Sequence, residues 1–161
     1  MALHDSPELE YVGFWARTGA AVIDSILVMI ITLPLVHAIY GAAYWDSGKL
    51  IAGPADFLIS WVLPTVLVLV LWIRLSATPG KLAIGAVIVD ARTGGKPTTS
   101  QFLIRYLGYI VACIPLMLGL FWVAIDPRKQ GWHDKMAGTV VVRRKGGGQQ
   151  PVRFDQADRR P

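Results

Sequence analysis

Apolar positions along this chain fall into three long blocks, and the charged residues collect between and after them. The first block, residues 18–40, predicts about 34 Å of helix, enough to cross the hydrocarbon of a bilayer. Phe14 and Trp15 stand at one end and Tyr40, Tyr44 and Trp45 at the other, where amphipathic rings meet headgroups. The second block, residues 57–75, carries no charge before Arg74 and predicts a second span. The third, residues 102–125, holds Pro115 and Gly119 near its middle.

Basic residues assign the sides. The link 41–56 holds Lys49 alone, whereas Arg74, Lys81, Arg92 and Lys96 follow the second block and Arg128, Lys129, Lys135, Arg143, Arg144 and Lys145 follow the third. Lys and Arg favour the cytoplasmic side, and three full crossings would put the last two groups on opposite faces. A re-entrant helical hairpin, opened at Pro115 and Gly119 and covered by the first two helices, keeps them together. A single kinked crossing is the alternative.

Residues 82–90 (LAIGAVIVD) and 139–143 (TVVVR) are short and rich in Val and Ile, as strands are. Gly94, Gly95 and Pro97 end the first of them. Pairing requires that the two share a compartment. The expected fold is thus an all-α integral membrane protein: two transmembrane helices, a third block as a re-entrant or kinked helical hairpin, and a two-stranded cytoplasmic β-pair. Residues 1–144 form the membrane domain. Residues 145–161, polar and without periodicity, are expected to be a disordered basic tail. Termini and charged loops are placed in the cytoplasm.

Composition agrees. Of 161 residues, 53% are hydrophobic and 17% charged, against roughly 25% charged in soluble domains. The net charge of +5 and pI near 9.6 do not point to nucleic acid, because the basic residues flank apolar spans. Cys113 is the lone cysteine, expected as a small buried hydrophobe, and no Cys/His spacing suits zinc. No metal or cofactor is expected. An acidic start (Asp5, Glu8, Glu10) does not read as a signal peptide, so the first block should remain as an anchor.

Ionisable residues within the blocks are the candidate chemistry. Arg17 and Asp24 are seven apart and share a helix face, about 10 Å from each other along the axis. Gly13, Ala16 and Ala20 form a small-residue stripe that admits close helix approach. An aspartate deep in a span costs about 2.5–3.5 kcal/mol, relieved by a basic partner or a bound proton. Arg105 is the expected partner: it follows the capping run Thr98-Thr99-Ser100 and stands above Gly108 and Ala112 on one face. Such a pair reads either as a structural register pin or as a proton or cation site. Asp126-Pro127 stops a helix. His133-Asp134 lacks a nearby nucleophile, so no enzyme is expected; these residues cap a helix or pair with Arg17. Thr78-Pro79-Gly80-Lys81 lacks the remaining elements of a phosphate loop and reads as a turn into a strand.

Three segments in order, FWARTGAAVIDSILV, ATPGKLAIGAVIVDARTGGKP and DPRKQGWHDKMAGTVVV, resemble the RDD family, named for one arginine and two aspartates. The resemblance covers residues 11–144. Arg17 and Asp24 match the first two named positions; Asp134 is the choice for the third, with Asp126 the competitor. Gly131-Trp132 departs slightly from the family pattern. The resemblance implies a mostly bacterial protein of the cytoplasmic (inner) membrane, with a suggested role in transport and, for some members, sodium/proton exchange. Transport is therefore the expected function, by the resemblance alone, and an accessory role is its alternative. The first is transport of small cations coupled to protons, with Asp24 exchanging, Arg105 or Arg17 tuning it, and a homo-oligomer enclosing the path. The other is an accessory or assembly subunit that packs its small-residue faces into a larger membrane complex.

Overall fold

The computed structural model describes residues 9–144; the tail expected at 145–161 lies outside them. In chain order come β1 (Leu9–Tyr11), α1 (Phe14–Tyr40), α2 (Ala43–Asp46), α3 (Pro54–Leu75), α4 (Pro79–Ala83), β2 (Ala86–Asp90), α5 (Thr99–Cys113), α6 (Leu118–Ile125), α7 (Trp132–Ala137) and β3 (Thr139–Arg144).

Both α1 and α3 are long and apolar enough to cross a membrane. Their outward faces present Val22, Ile26, Ile30, Leu58, Val66 and Val70, each about half exposed, a surface suited to lipid and not to water. α1 runs unbroken through Pro34. α3 widens to a π-helical stretch at Leu58–Val62, just before Pro64, which has no N–H for the regular ladder and crowds the preceding turn.

The third block is two helices. α5 and α6 meet at 102°, with Pro115 in the break and Leu116 and Met117 in the left-handed region at φ 50° and 62°. Gly119 does not open the turn. It closes the two arms on each other: a Cβ there would lie 2.6 Å from that of Ala112.

The expected pairing of β2 with β3 is present, antiparallel, with Ala86 opposite Arg143, Ile88 opposite Val141 and Asp90 opposite Thr139. The sheet has three strands, not two, in the order β1-β3-β2. β1 is three residues long and joins through Glu10 opposite Arg143, whose side chains bond at 2.5 Å. β2 also starts later than expected, because residues 79–83 form α4.

This sheet gathers the chain before α1, after α3 and after α6. The two long helices are therefore an out-and-back pair, and the bent pair leaves and returns to the same end. Gln101 at the start of α5 bonds Asp90 (2.7 Å) and the Gly138 carbonyl (3.3 Å), while Gln130, after α6, bonds the Thr139 carbonyl at 2.9 Å. That is the path of a hairpin. Between sheet and helices lie Val12, Trp72, Ala86, Ile88, Phe102 and Val141, all buried; each large one contributes about 1.5–3 kcal/mol by leaving water.

Candidate functional site

Where the sheet meets the helix ends, the structure builds a dry ionic clamp. Arg17 lies one turn into α1. Gly13 leaves β1 in extended backbone and starts the helix, so Arg17 hangs back over the strand and its Nε bonds the Val12 carbonyl at 2.9 Å. Its Nη1 bonds Asp134 Oδ2 and its Nη2 the Lys129 carbonyl, both at 2.6 Å. Asp134 is the third residue of α7, placed there to accept the Gly131 N–H as well, at 3.0 Å. Arg105, on the second turn of α5, reaches the other oxygen of Asp134 and bonds Thr139 Oγ1 at 2.7 Å.

Asp134 and Arg105 are both wholly buried. Burial alone would raise the Asp134 carboxyl; the Arg105 and Arg17 guanidinia outweigh it and hold the group well below the usual carboxylate range. Asp134 is a fixed anion. The rest of the Arg105 guanidinium faces rings, 5.4 Å from the centroid of Trp72 and 5.7 Å from that of Tyr109. Its Nε and Nη2 have no oxygen partner among the described residues.

His133 stacks on Tyr109 with centroids 3.9 Å apart. Burial pushes it down to about 3; the Asp134 charge pulls the other way, and the charges of Arg105, Arg17 and Lys81 add to the depression. It is a neutral packing residue at physiological pH. Asp126 ends α6. Its Oδ2 accepts the Arg128 and Gln130 amides at 3.1 Å, and its other oxygen pairs with Lys135. Burial would raise this carboxyl, and the Lys135 contact with the amide bonds holds it below the ordinary value.

Asp24 is elsewhere. Its expected partnership with Arg105 is not made: Thr78 Oγ1 bonds its Oδ2 at 2.5 Å and the Gly80 amide its Oδ1 at 2.7 Å. α4 thus starts on a carboxylate supplied by α1. The approach is tight, since a Cβ on Gly80 would lie 2.0 Å from the Ala20 carbonyl oxygen. The small residues meet accordingly. Ala20 receives Gly80, Gly108 packs on the His133 backbone, and Ala112 on Gly119; the expected meeting of the Gly108/Ala112 face with the Ala20/Asp24 stripe does not occur.

Two further charged positions were not singled out from the sequence. Lys81 in α4 is pushed down by burial, with Asp24 on one side and Arg105 and Arg17 on the other acting on its charge. Its ammonium bonds Thr78 Oγ1 at 3.4 Å, and the TPGK segment, expected as a turn into a strand, forms α4 instead. At the opposite end of the long helices, buried Asp56 accepts from the Ala52 amide (2.8 Å), Ser60 (2.8 Å) and Tyr44 (3.1 Å) and so ties down the 41–53 link. Cys113, expected to be buried, is exposed on the outward side of α5.

With Arg17, Asp24 and Asp134 so placed, comparison with known proteins is decisive: the RDD family matches residues 11–138. The chain belongs to the RDD family. Its long apolar helices agree with membrane residence. The uncharacterized protein RP437 of Rickettsia prowazekii (strain Madrid E) is 36% identical over 72 residues, covering 45% of this chain and 39% of that protein. The alignment thus spans well under half of that relative's length. No solved structure matches. In this RDD protein the charged residues divide between two tasks: Arg17 and Asp134 bond each other, and Asp24 holds the start of α4.

Proposed function

We propose that this RDD protein is a non-catalytic accessory or assembly subunit of a bacterial inner-membrane complex, with its sheet and termini cytoplasmic. The observation that carries the reading is the engagement of Asp134: both oxygens are taken by arginines in a site without water access. A carboxylate so held keeps its charge and serves to fix the register of the segments it joins. The basic residues of the sheet side, Arg74, Lys81, Arg92, Lys96 and those after Ile125, support the cytoplasmic orientation. The small-residue faces are used within the chain, so a partner helix would meet the broad apolar flanks. A lateral groove of about 490 Å³ beside Tyr106, Ile110 and Cys113 is the concave feature there. Native mass spectrometry of the protein extracted from its own membrane tests this: stoichiometric unrelated subunits are expected, and a bare monomer or homo-oligomer would refute it.

One observation favours the second reading, cation–proton transport. Lys81 is a half-buried cation that burial pushes down and whose charge Asp24, on the first long helix, acts on, and ionisable groups within spans often mark ion paths. Transport predicts that Asp24→Asn abolishes pH-driven cation flux in vesicles while thermal stability is kept. The assembly reading predicts no flux from either protein.

A further inference from the structure

At the sheet end of the long helices a cavity of about 500 Å³ opens outward between the first turn of α1 and the turn that follows α6. Its walls differ in character. Trp15, 82% exposed, and Ile125, 70% exposed, form an apolar rim continuous with the outward faces of the helices. The floor is electropositive. Lys129 contributes an ammonium whose bond to the Ala124 carbonyl, at 3.1 Å, uses one of its three protons. Gly13 offers the first amides of α1 no side-chain cap, and the first turn holds no acidic residue. The acidic lining residue, Asp126, is already neutralised by Lys135 and two amides.

The floor is also fixed in place. Lys129 sits in the left-handed region at φ 52°, held by Arg17 Nη2 on its carbonyl at 2.6 Å and by its amide on the Asp126 carbonyl at 3.0 Å. A cation carried on a held turn, beneath an apolar rim at the level of an exposed tryptophan, suits an anion that carries hydrocarbon.

We propose that this cavity binds the headgroup phosphate of an anionic phospholipid, with the acyl chains running outward past Ile125. The shared chemistry is that of any phosphate; the apolar rim selects the lipid. Binding would rest on the turn that the Arg17–Asp134 clamp holds, and it requires neither assembly nor transport.

The test uses the full-length protein in detergent and native mass spectrometry with phosphatidylglycerol, phosphatidylcholine or inorganic phosphate. Phosphatidylglycerol should be retained at least tenfold more than phosphatidylcholine. Lys129→Gln, and Ala124→Phe, which fills the cavity from an exposed wall, should each remove that preference about tenfold while circular dichroism stays unchanged. Equal retention of the two lipids overturns the proposal, as does a folded Lys129→Gln protein that keeps the preference. Inorganic phosphate that displaces phosphatidylglycerol at equal concentration would assign the cavity to a free anion instead. If either variant fails to fold, the wild-type comparison of the two lipids decides.

Discussion

Arg17 Nη1 and Asp134 Oδ2 lie 2.6 Å apart although 117 residues separate them in the chain. Through this bond the first long helix is fastened to the segment that follows the last, and Arg105 fastens α5 to the same carboxylate.

Asp134→Asn should therefore be the most damaging of the isosteric changes. It leaves Arg105 buried with no counter-charge, and breaking a buried pair from one side costs about 3–5 kcal/mol. Thermal unfolding in detergent should fall by more than 10 °C. Arg17→Lys, at a partly exposed position with fewer donors, should fall by less. Equal melting of Asp134→Asn and wild type would refute the clamp.

Gly80→Ala should be as severe for a different reason. The added methyl meets the Ala20 carbonyl oxygen, which is backbone and cannot swing aside. α4 must separate from α1, and the bonds to Asp24 are lost with it. Asp24→Asn, which keeps one acceptor oxygen for Gly80 or Thr78, should cost only about 1–2 kcal/mol. Expression and melting of the two variants side by side measure the difference.

Acid should weaken the fold in a defined window. His133 is held near 3 in the folded protein and returns to about 6.5 when unfolded. As pH falls from 6.5 the unfolded chain takes up a proton that the folded chain refuses, so stability drops by up to about 1.4 kcal/mol per pH unit. Asp134, depressed when folded, adds to the loss only below its unfolded value near 3.9. Melting measured between pH 7 and 4 should slope downward, and His133→Gln should flatten the slope. An unchanged slope in that variant removes His133 as the cause.

The hairpin path of α5 and α6 predicts sidedness. In a Cys113→Ser background, Lys96→Cys and Arg128→Cys should react with an impermeant maleimide from one face of sealed vesicles and Gly48→Cys from the other. Labelling of Arg128→Cys together with Gly48→Cys would mean that the third block crosses.

Much of this was legible beforehand because it depends on local composition. The first two apolar blocks dictate long helices, since a bilayer leaves the backbone no other partner than itself, and Pro115 marked where the third breaks. The Val- and Ile-rich segments 82–90 and 139–143 showed as strands, which the structure places at Ala86–Asp90 and Thr139–Arg144, and the capping run at Thr98 marked the start of α5. β1 was invisible: three residues around a glutamate have no periodicity, and only the ladder offered by β3 makes them a strand.

The residues of the charge network were legible too, as was the pairing of Asp134 with Arg17; the partners of Asp24 and Arg105 were not. An aspartate or arginine in an apolar stretch must find a counterpart, so Arg17, Asp24, Arg105 and Asp134 stand out from the sequence alone. Which atom relieves which charge depends on what the fold brings within 3 Å. Asp24 is satisfied by a hydroxyl and a backbone amide, and an amide is present at nearly every residue and so marks none. Arg105 passed to Asp134 because the hairpin returns α7 to its side, a contact between segments that no local pattern encodes. Ionisable identity is a property of the chain; the pairing is a property of distance, and only the folded molecule sets distances.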